Sequence, residues 1–187
     1  MSPAPVFPLA GLTWSDFAGR AELRGADDGR PGRAGWRYPR AAGHVHRGVD
    51  LKVTNGHPVV AVEDGTARFR SACLGPRPGV LNMAGHRVCL LGRSGAAYLY
   101  FHLGTVRDSP VDAFPRGIRC GDVVVVRAGT VLGFVGHTGG SIATGMPTPA
   151  PAAHLHFEHH PDGPDGADVN PVRMFERSGS IVLEAAR

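Results

Sequence analysis

Lysine is all but missing from this 187-residue chain: Lys52 stands alone, and the rest of its 20 basic residues are arginines. Set against 16 acidic residues they leave a formal charge of only +4. Arg20, Arg24, Arg30, Arg33, Arg37 and Arg40 are dispersed through a glycine-rich N-terminal stretch and do not line one helix face. That pattern excludes a nucleic-acid binder and leaves a weak attraction to an anionic surface such as a bacterial wall. Long apolar runs are also missing. No stretch approaches the roughly 18 residues of a membrane span, and the opening MSPAPVFPLAGLTW lacks a basic region followed by an apolar one, so no signal peptide is expected. Cysteine is scarce. Cys73, Cys89 and Cys120 are odd in number and far apart, which excludes a disulfide framework and a zinc ribbon, and they read as free or buried thiols. A collagen-like glycine period is absent, and a 42% hydrophobic share is too high for a disordered chain.

What the chain does have is 27 glycines and 16 prolines, which exclude a long helical bundle, and 10 histidines. The length suits one domain with a single core, and valine-rich segments between Gly and Pro clusters point to an all-β design of short strands. Residues 1–40 read as an irregular arm that packs on the domain through Trp14, Phe17, Trp36 and Tyr38, residues 41–178 as the domain, and 179–187 as a tail. Strands are expected at Val59–Val62 and Thr66–Arg70, joined as a hairpin by Asp64-Gly65. Further strands are expected at Val88–Leu91, Ala97–Leu103, Val123–Val126, Val131–Val135 and His154–Glu158, forming an antiparallel sheet or barrel-sandwich. Three long loops, Cys73–His86, Thr105–Arg119 and Gly139–Ala153, read as walls or lids of a cleft.

Three constellations carry chemistry. In His46-Arg47-Gly48-Val49-Asp50 an imidazole and a carboxylate lie four residues apart, and the glycine lets the backbone bend so that both converge on one ion. In His154-Leu155-His156 the strand period puts both imidazoles on one face. In Tyr98-Leu99-Tyr100-Phe101-His102-Leu103, alternation places Tyr98, Tyr100 and His102 on a polar face and Leu99, Phe101 and Leu103 toward the core. Each alone is a weak signal. Together, four imidazoles and a carboxylate supply three zinc ligands with two histidines left for proton and oxyanion work, and an open position for water completes such a site.

Those blocks, with Tyr100-Phe101-His102-Leu103 and His154-Leu155-His156-Phe157-Glu158 in that order, resemble the LytM/lysostaphin-type zinc endopeptidases that cut peptidoglycan peptide bridges. Pro58-Val59-Val60-Ala61, Gly133-Phe134-Val135-Gly136-His137-Thr138-Gly139 and Val169-Asn170-Pro171 are similar to intervening family segments, and the resemblance covers about residues 43–175. It implies His46, Asp50 and His156 as ligands of one Zn²⁺ per chain, and His102 and His154 as the catalytic pair. Tyr100 then donates to substrate or oxyanion, or is structural. The implied partner is a bacterial peptidoglycan peptide, and the implied site of action the wall, periplasm or outside, reached as a phage-borne enzyme, an injected effector or a secreted one.

The sequence departs from the family in three places. Gly121–Gly133 is about two residues longer than the usual turn, so a bulge or altered hairpin is expected there, His137 stands where Asn is usual, and Gly140–His154 is lengthened beside the cleft. None removes a ligand. The rival reading, a catalytically silent module that activates another wall hydrolase, needs neither His102 nor His154, and a lipoyl-like or sugar-binding domain leaves the histidines unexplained. His44, His57, His86, His159 and His160 read as surface or turn residues, and Glu158 as either a support for a ligand imidazole or a solvated carboxylate.

Overall fold

A computed structural model describes residues 4–40, 43–71, 83–107, 109–140 and 149–183. Among the described residues eight strands form: β1 Val49–Leu51, β2 Pro58–Val60, β3 Gly65–Arg70, β4 His86–Gly92, β5 Ala97–Leu103, β6 Val123–Val126, β7 Val131–Phe134 and β8 Leu155–His160. One short helix, α1 Val172–Phe175, follows. Six strands make a sheet in the order β1-β8-β5-β4-β3-β6, and β2 pairs with β7 in a second sheet; every pairing between these strands is antiparallel. The chain is thus mostly antiparallel sheet, the all-β class expected. Among the described residues no helix is long and apolar enough to cross a membrane.

The larger sheet buries one face. Val49 and Leu51, Leu155 and Phe157, Tyr98 and Tyr100, Val88 and Leu90, then Ala67 and Phe69 alternate along their strands into one core. Leu132 and Val135 enter the same core from the β7 segment. The arm is part of that core. Phe7, Leu9, Phe17, Leu23 and Ala34 are all buried in it, and Phe7 meets the Phe175 ring edge-on at 5.0 Å. Burying one such side chain stabilises by about 1.5–3 kcal/mol. Backbone bonds from Phe7 to Gly179 and from Gly11 to Ile181 tie the arm to the C-terminal segment as well.

Two pairing expectations fail. Asp64-Gly65 does not close a hairpin: β2 pairs with β7, while β3 pairs with β4 and β6. Likewise β6 and β7 lie in different sheets, so the lengthened 121–133 segment is a crossover between sheets and not a bulged hairpin. A turn dipeptide reverses the chain without fixing which strand receives it, and here the two ends of the turn are drawn to different layers.

Candidate metal centre

The site lies on the uncovered face of the sheet, at its β1 end. Strand register makes Asp50 and His156 direct cross-strand partners, and His156 is in turn the partner of Phe101, so a carboxylate, an imidazole and a phenyl ring stand in a row across β1, β8 and β5. His46 arrives from the segment just before β1. Gly48 between them is required by close approach, since a Cβ there would lie 2.1 Å from the Phe157 carbonyl oxygen. The bend expected of this glycine is therefore a contact with β8.

Three donor atoms meet. His46 Nε2, Asp50 Oδ1 and His156 Nδ1 form a near-equilateral triangle with sides of 2.9, 2.8 and 2.9 Å. Among the described residues this is the His/Asp cluster able to hold a metal ion. The far nitrogens of both rings are committed: His46 Nδ1 donates to the Gly35 carbonyl at 2.8 Å and His156 Nε2 to Glu158 Oε1 at 3.1 Å. With those protons fixed, each neutral ring aims a lone pair at the other and at a carboxylate oxygen. A proton on His156 relieves part of that conflict; a divalent cation relieves all of it, so the donor set fits zinc. Without metal, burial opposes charge on His156 but the Asp50 and Glu158 carboxylates outweigh it and hold its pKa up to about 9. Burial lowers that of His46. Burial would raise Asp50, but its contacts with His156 and His46 hold it well below the usual carboxylate range. Glu158 is similarly held down to about 2 against the cost of burial, with His156 and His160 as partners. It is thus buried, with Oε2 accepting from His160 Nε2 at 2.8 Å, and is not a solvated carboxylate.

His102 and His154 lie beside the triangle, their ring centroids 4.8 Å apart. His154 Nδ1 donates to the Ala152 carbonyl at 2.6 Å, and His154 Nε2 is 3.7 Å from Asp50 Oδ1. His102 Nδ1 donates to the Thr138 carbonyl at 2.9 Å, and burial together with the neighbouring His154 and His156 pushes its pKa down to about 3. Gly139, at φ +113°, makes this approach possible, because a Cβ there would lie 2.9 Å from His102 Nδ1. All five residues line one cavity of about 530 Å³, together with Phe101, Val45, Met83, Arg40 and Arg47.

Strand β5 departs from simple alternation. Tyr98 and Tyr100 face the core, while Phe101 faces the cleft and its ring lies 5.3 Å from that of His156. His102 has left-handed backbone, φ +63°, which turns its side chain to the same side as Phe101. Tyr100 is therefore no substrate or oxyanion donor. It is fully buried, and its hydroxyl accepts the Val62 N–H at 3.1 Å. His86 and His160 are likewise buried strand residues and not surface turns. His86 Nε2 donates to the Val106 carbonyl and His160 Nδ1 to the Gly166 carbonyl. His57 is half-buried and bonded to the Ala10 carbonyl, while His44 is exposed at the cleft rim. Cys89 and Cys120 are free and half-buried; Cys73 lies outside the described residues, as does 141–148 of the lengthened loop.

Residues the sequence did not single out complete the setting. Arg40 donates from Nη2 to Asp50 Oδ2 at 2.9 Å. Thr138 is buried, and its hydroxyl donates to the Leu103 carbonyl and accepts the His86 N–H. Neither carries a spacing signal, and the arm's Gly35 contributes only a backbone carbonyl.

Comparison with known proteins now decides the family: residues 44–171 match peptidase family M23. The chain belongs to that family. It is 32% identical over 130 residues to the DD-carboxypeptidase/endopeptidase Mpg of Neisseria meningitidis, a match covering 70% of this chain and 23% of Mpg. The chain thus spans about a quarter of that relative's length. Csd3 from Helicobacter pylori superimposes with a TM-score of 0.50 at 17% identity, covering 98% of this chain and 38% of Csd3. Lysostaphin from Staphylococcus simulans gives 0.49 at 23% identity, covering 70% and 44%. The M23 membership bears out the LytM/lysostaphin-type resemblance read from the motif blocks.

Proposed function

We propose that this M23 chain is a zinc endopeptidase that cuts stem peptides or cross-links of bacterial peptidoglycan, with His46, Asp50 and His156 holding one zinc and His102 and His154 acting on the substrate. The observation that carries this reading is the second histidine pair. A structural metal site needs three or four ligands and nothing more, whereas here two further imidazoles stand beside the triangle, each fixed through Nδ1 to a backbone carbonyl.

Zinc held by this donor set supplies a Lewis acid that polarises the scissile carbonyl and acidifies water. The remaining steps fall to the chain. With Nδ1 protonated and anchored, Nε2 of His102 and of His154 carries the lone pair, so either ring can accept a proton from the attacking water. The imidazolium so formed has Nε2–H to donate, first to the oxyanion of the tetrahedral intermediate and then to the leaving amine nitrogen, which restores the neutral ring. Burial and the neighbouring imidazoles hold His102 neutral, so its Nε2 lone pair is not blocked by a bound proton near neutral pH. Phe101, Val45 and Met83 give the cleft apolar walls for an extended peptide.

The test is to measure the metal content of purified protein and to identify by mass spectrometry the muropeptides it releases from walls of several cross-link chemistries. Stoichiometric zinc and new peptide ends are expected, and the product masses name the bond. Zinc-loaded protein that releases nothing from any of these walls would overturn the enzyme in favour of a silent module acting on another hydrolase.

A further inference from the structure

The family match begins at residue 44, yet the donor set leans on residues before it. Segment 34–40 of the arm reaches the centre three times. The Ala34 carbonyl accepts the Asp50 N–H at 2.9 Å, the Gly35 carbonyl accepts His46 Nδ1–H at 2.8 Å, and the Arg40 guanidinium donates to Asp50 Oδ2 at 2.9 Å. The segment is held in register with the motif. Arg37 N–H bonds to the His46 carbonyl at 2.7 Å, His46 N–H to the Tyr38 carbonyl at 2.9 Å, and Arg40 N–H to the His44 carbonyl at 2.8 Å. Arg40 and His46 therefore leave the two sides of one short ladder and meet at the same carboxylate, each taking one oxygen.

That division has a chemical consequence. A carboxylate can ligate a metal through one oxygen or both, and the second mode occupies a further coordination position that a catalytic zinc keeps open for water and substrate. The other cleft arginine, Arg47, is turned away onto Asp168, with Nε 2.9 Å from Oδ2, so Arg40 alone among these two touches a ligand. Guanidinium is charged at every working pH and its planar fork fixes direction as well as charge.

We propose that Arg40 is a positioning residue of the metal centre: it holds Oδ2 of Asp50 so that the carboxylate offers Oδ1 alone, and the N-terminal arm is thereby part of the centre. The inference rests on the reading of His46, Asp50 and His156 as zinc ligands. It is distinct from a substrate contact, which would act on KM, and from a purely structural contact, which would act on the fold.

The experiment uses the full chain with Arg40→Ala, Arg40→Gln and Arg40→Lys, first stripped of metal and then titrated with zinc against a chromogenic chelator and, separately, with Co²⁺. Wild type should bind one equivalent, and Arg40→Ala and Arg40→Gln should weaken zinc about 10- to 100-fold, the range seen when a partner of a ligand is removed. Their cobalt spectra should lose the intense visible bands of a four-coordinate ion for the weak ones of a five-coordinate ion, while Arg40→Lys recovers part of the affinity and the four-coordinate bands. Melting curves of the metal-free variants should overlay that of wild type. Unchanged zinc affinity and cobalt bands in both neutral variants overturn the proposal, whatever happens to KM. Lost affinity in all three accompanied by lowered metal-free melting overturns it too, as a fold effect. Wild type that takes up no zinc overturns the ligand reading itself, a failure visible before any variant is compared.

Discussion

His102 and His156 lie 5.9 Å apart in the cleft, ring centre to ring centre, and their surroundings push them in opposite directions. His156 has a carboxylate at each nitrogen, Asp50 at Nδ1 and Glu158 at Nε2, and is held up to about 9. His102 is half-buried with other imidazoles for neighbours and one backbone carbonyl at Nδ1, and is pushed down to about 3. The proposed roles, metal ligand for His156 and proton acceptor for His102, thus fall to one kind of side chain in two settings. What separates the two roles is the placement of Asp50 and Glu158, since burial acts against charge on both.

Removing the carboxylate side should do most damage. Asp50→Ala or His156→Ala is expected to abolish zinc retention and all peptide release, read by metal analysis after dialysis together with product mass spectrometry. On the other side, His102→Ala or His154→Ala should keep one zinc per chain while turnover falls about 10²- to 10⁴-fold, the usual contribution of a positioned acid or base. Zinc loss in these variants would erase the distinction between the sides.

Acidity sharpens the same comparison in metal-free protein. His102 has a folded pKa below its unfolded value of 6.5, so the unfolded chain binds the extra proton and stability falls as pH drops from about 6.5 toward 3. His156 has a folded pKa above it, so its contribution is complete below pH 6.5 and is lost as pH rises through about 9. Thermal melts across that range should therefore decline at both ends, and His102→Gln should shrink the acid limb without touching the alkaline one, the rest of the acid loss coming from His46 and His159, which burial also holds below 6.5. The smallest effect tests the core. Tyr100→Phe leaves the buried Val62 N–H without its acceptor, which should cost about 1–3 kcal/mol by denaturant titration while activity per folded molecule is unchanged.

The sequence discloses the site more fully than its surroundings, for physical reasons. His46, Asp50, His154 and His156 are legible because two-residue and four-residue spacings translate directly into a shared face of a strand or of its approach. Tyr100 and Phe101 are misread because alternation is only a phase, and the left-handed residue at His102 shifts that phase at the end of β5. The pairings of β2 and β3 escape because long-range partners are chosen by layer packing, which a turn dipeptide does not encode. Arg40 and the Gly35 carbonyl escape for a further reason. Their function depends on a ladder between the arm and the motif, and an arginine among many in a glycine-rich stretch has no local mark to distinguish it.

On the role proposed for His102, its left-handed backbone sets stability and activity against each other at a single position. An L side chain in that conformation costs on the order of 1 kcal/mol, and a half-buried imidazole held neutral adds a second penalty at acid pH. Asparagine or glycine fits the same backbone more readily than most residues and brings no proton chemistry with it. A laboratory selection for heat resistance alone would thus tend to discard His102, and an improved scaffold for this fold would have to be screened for peptide cleavage at every round.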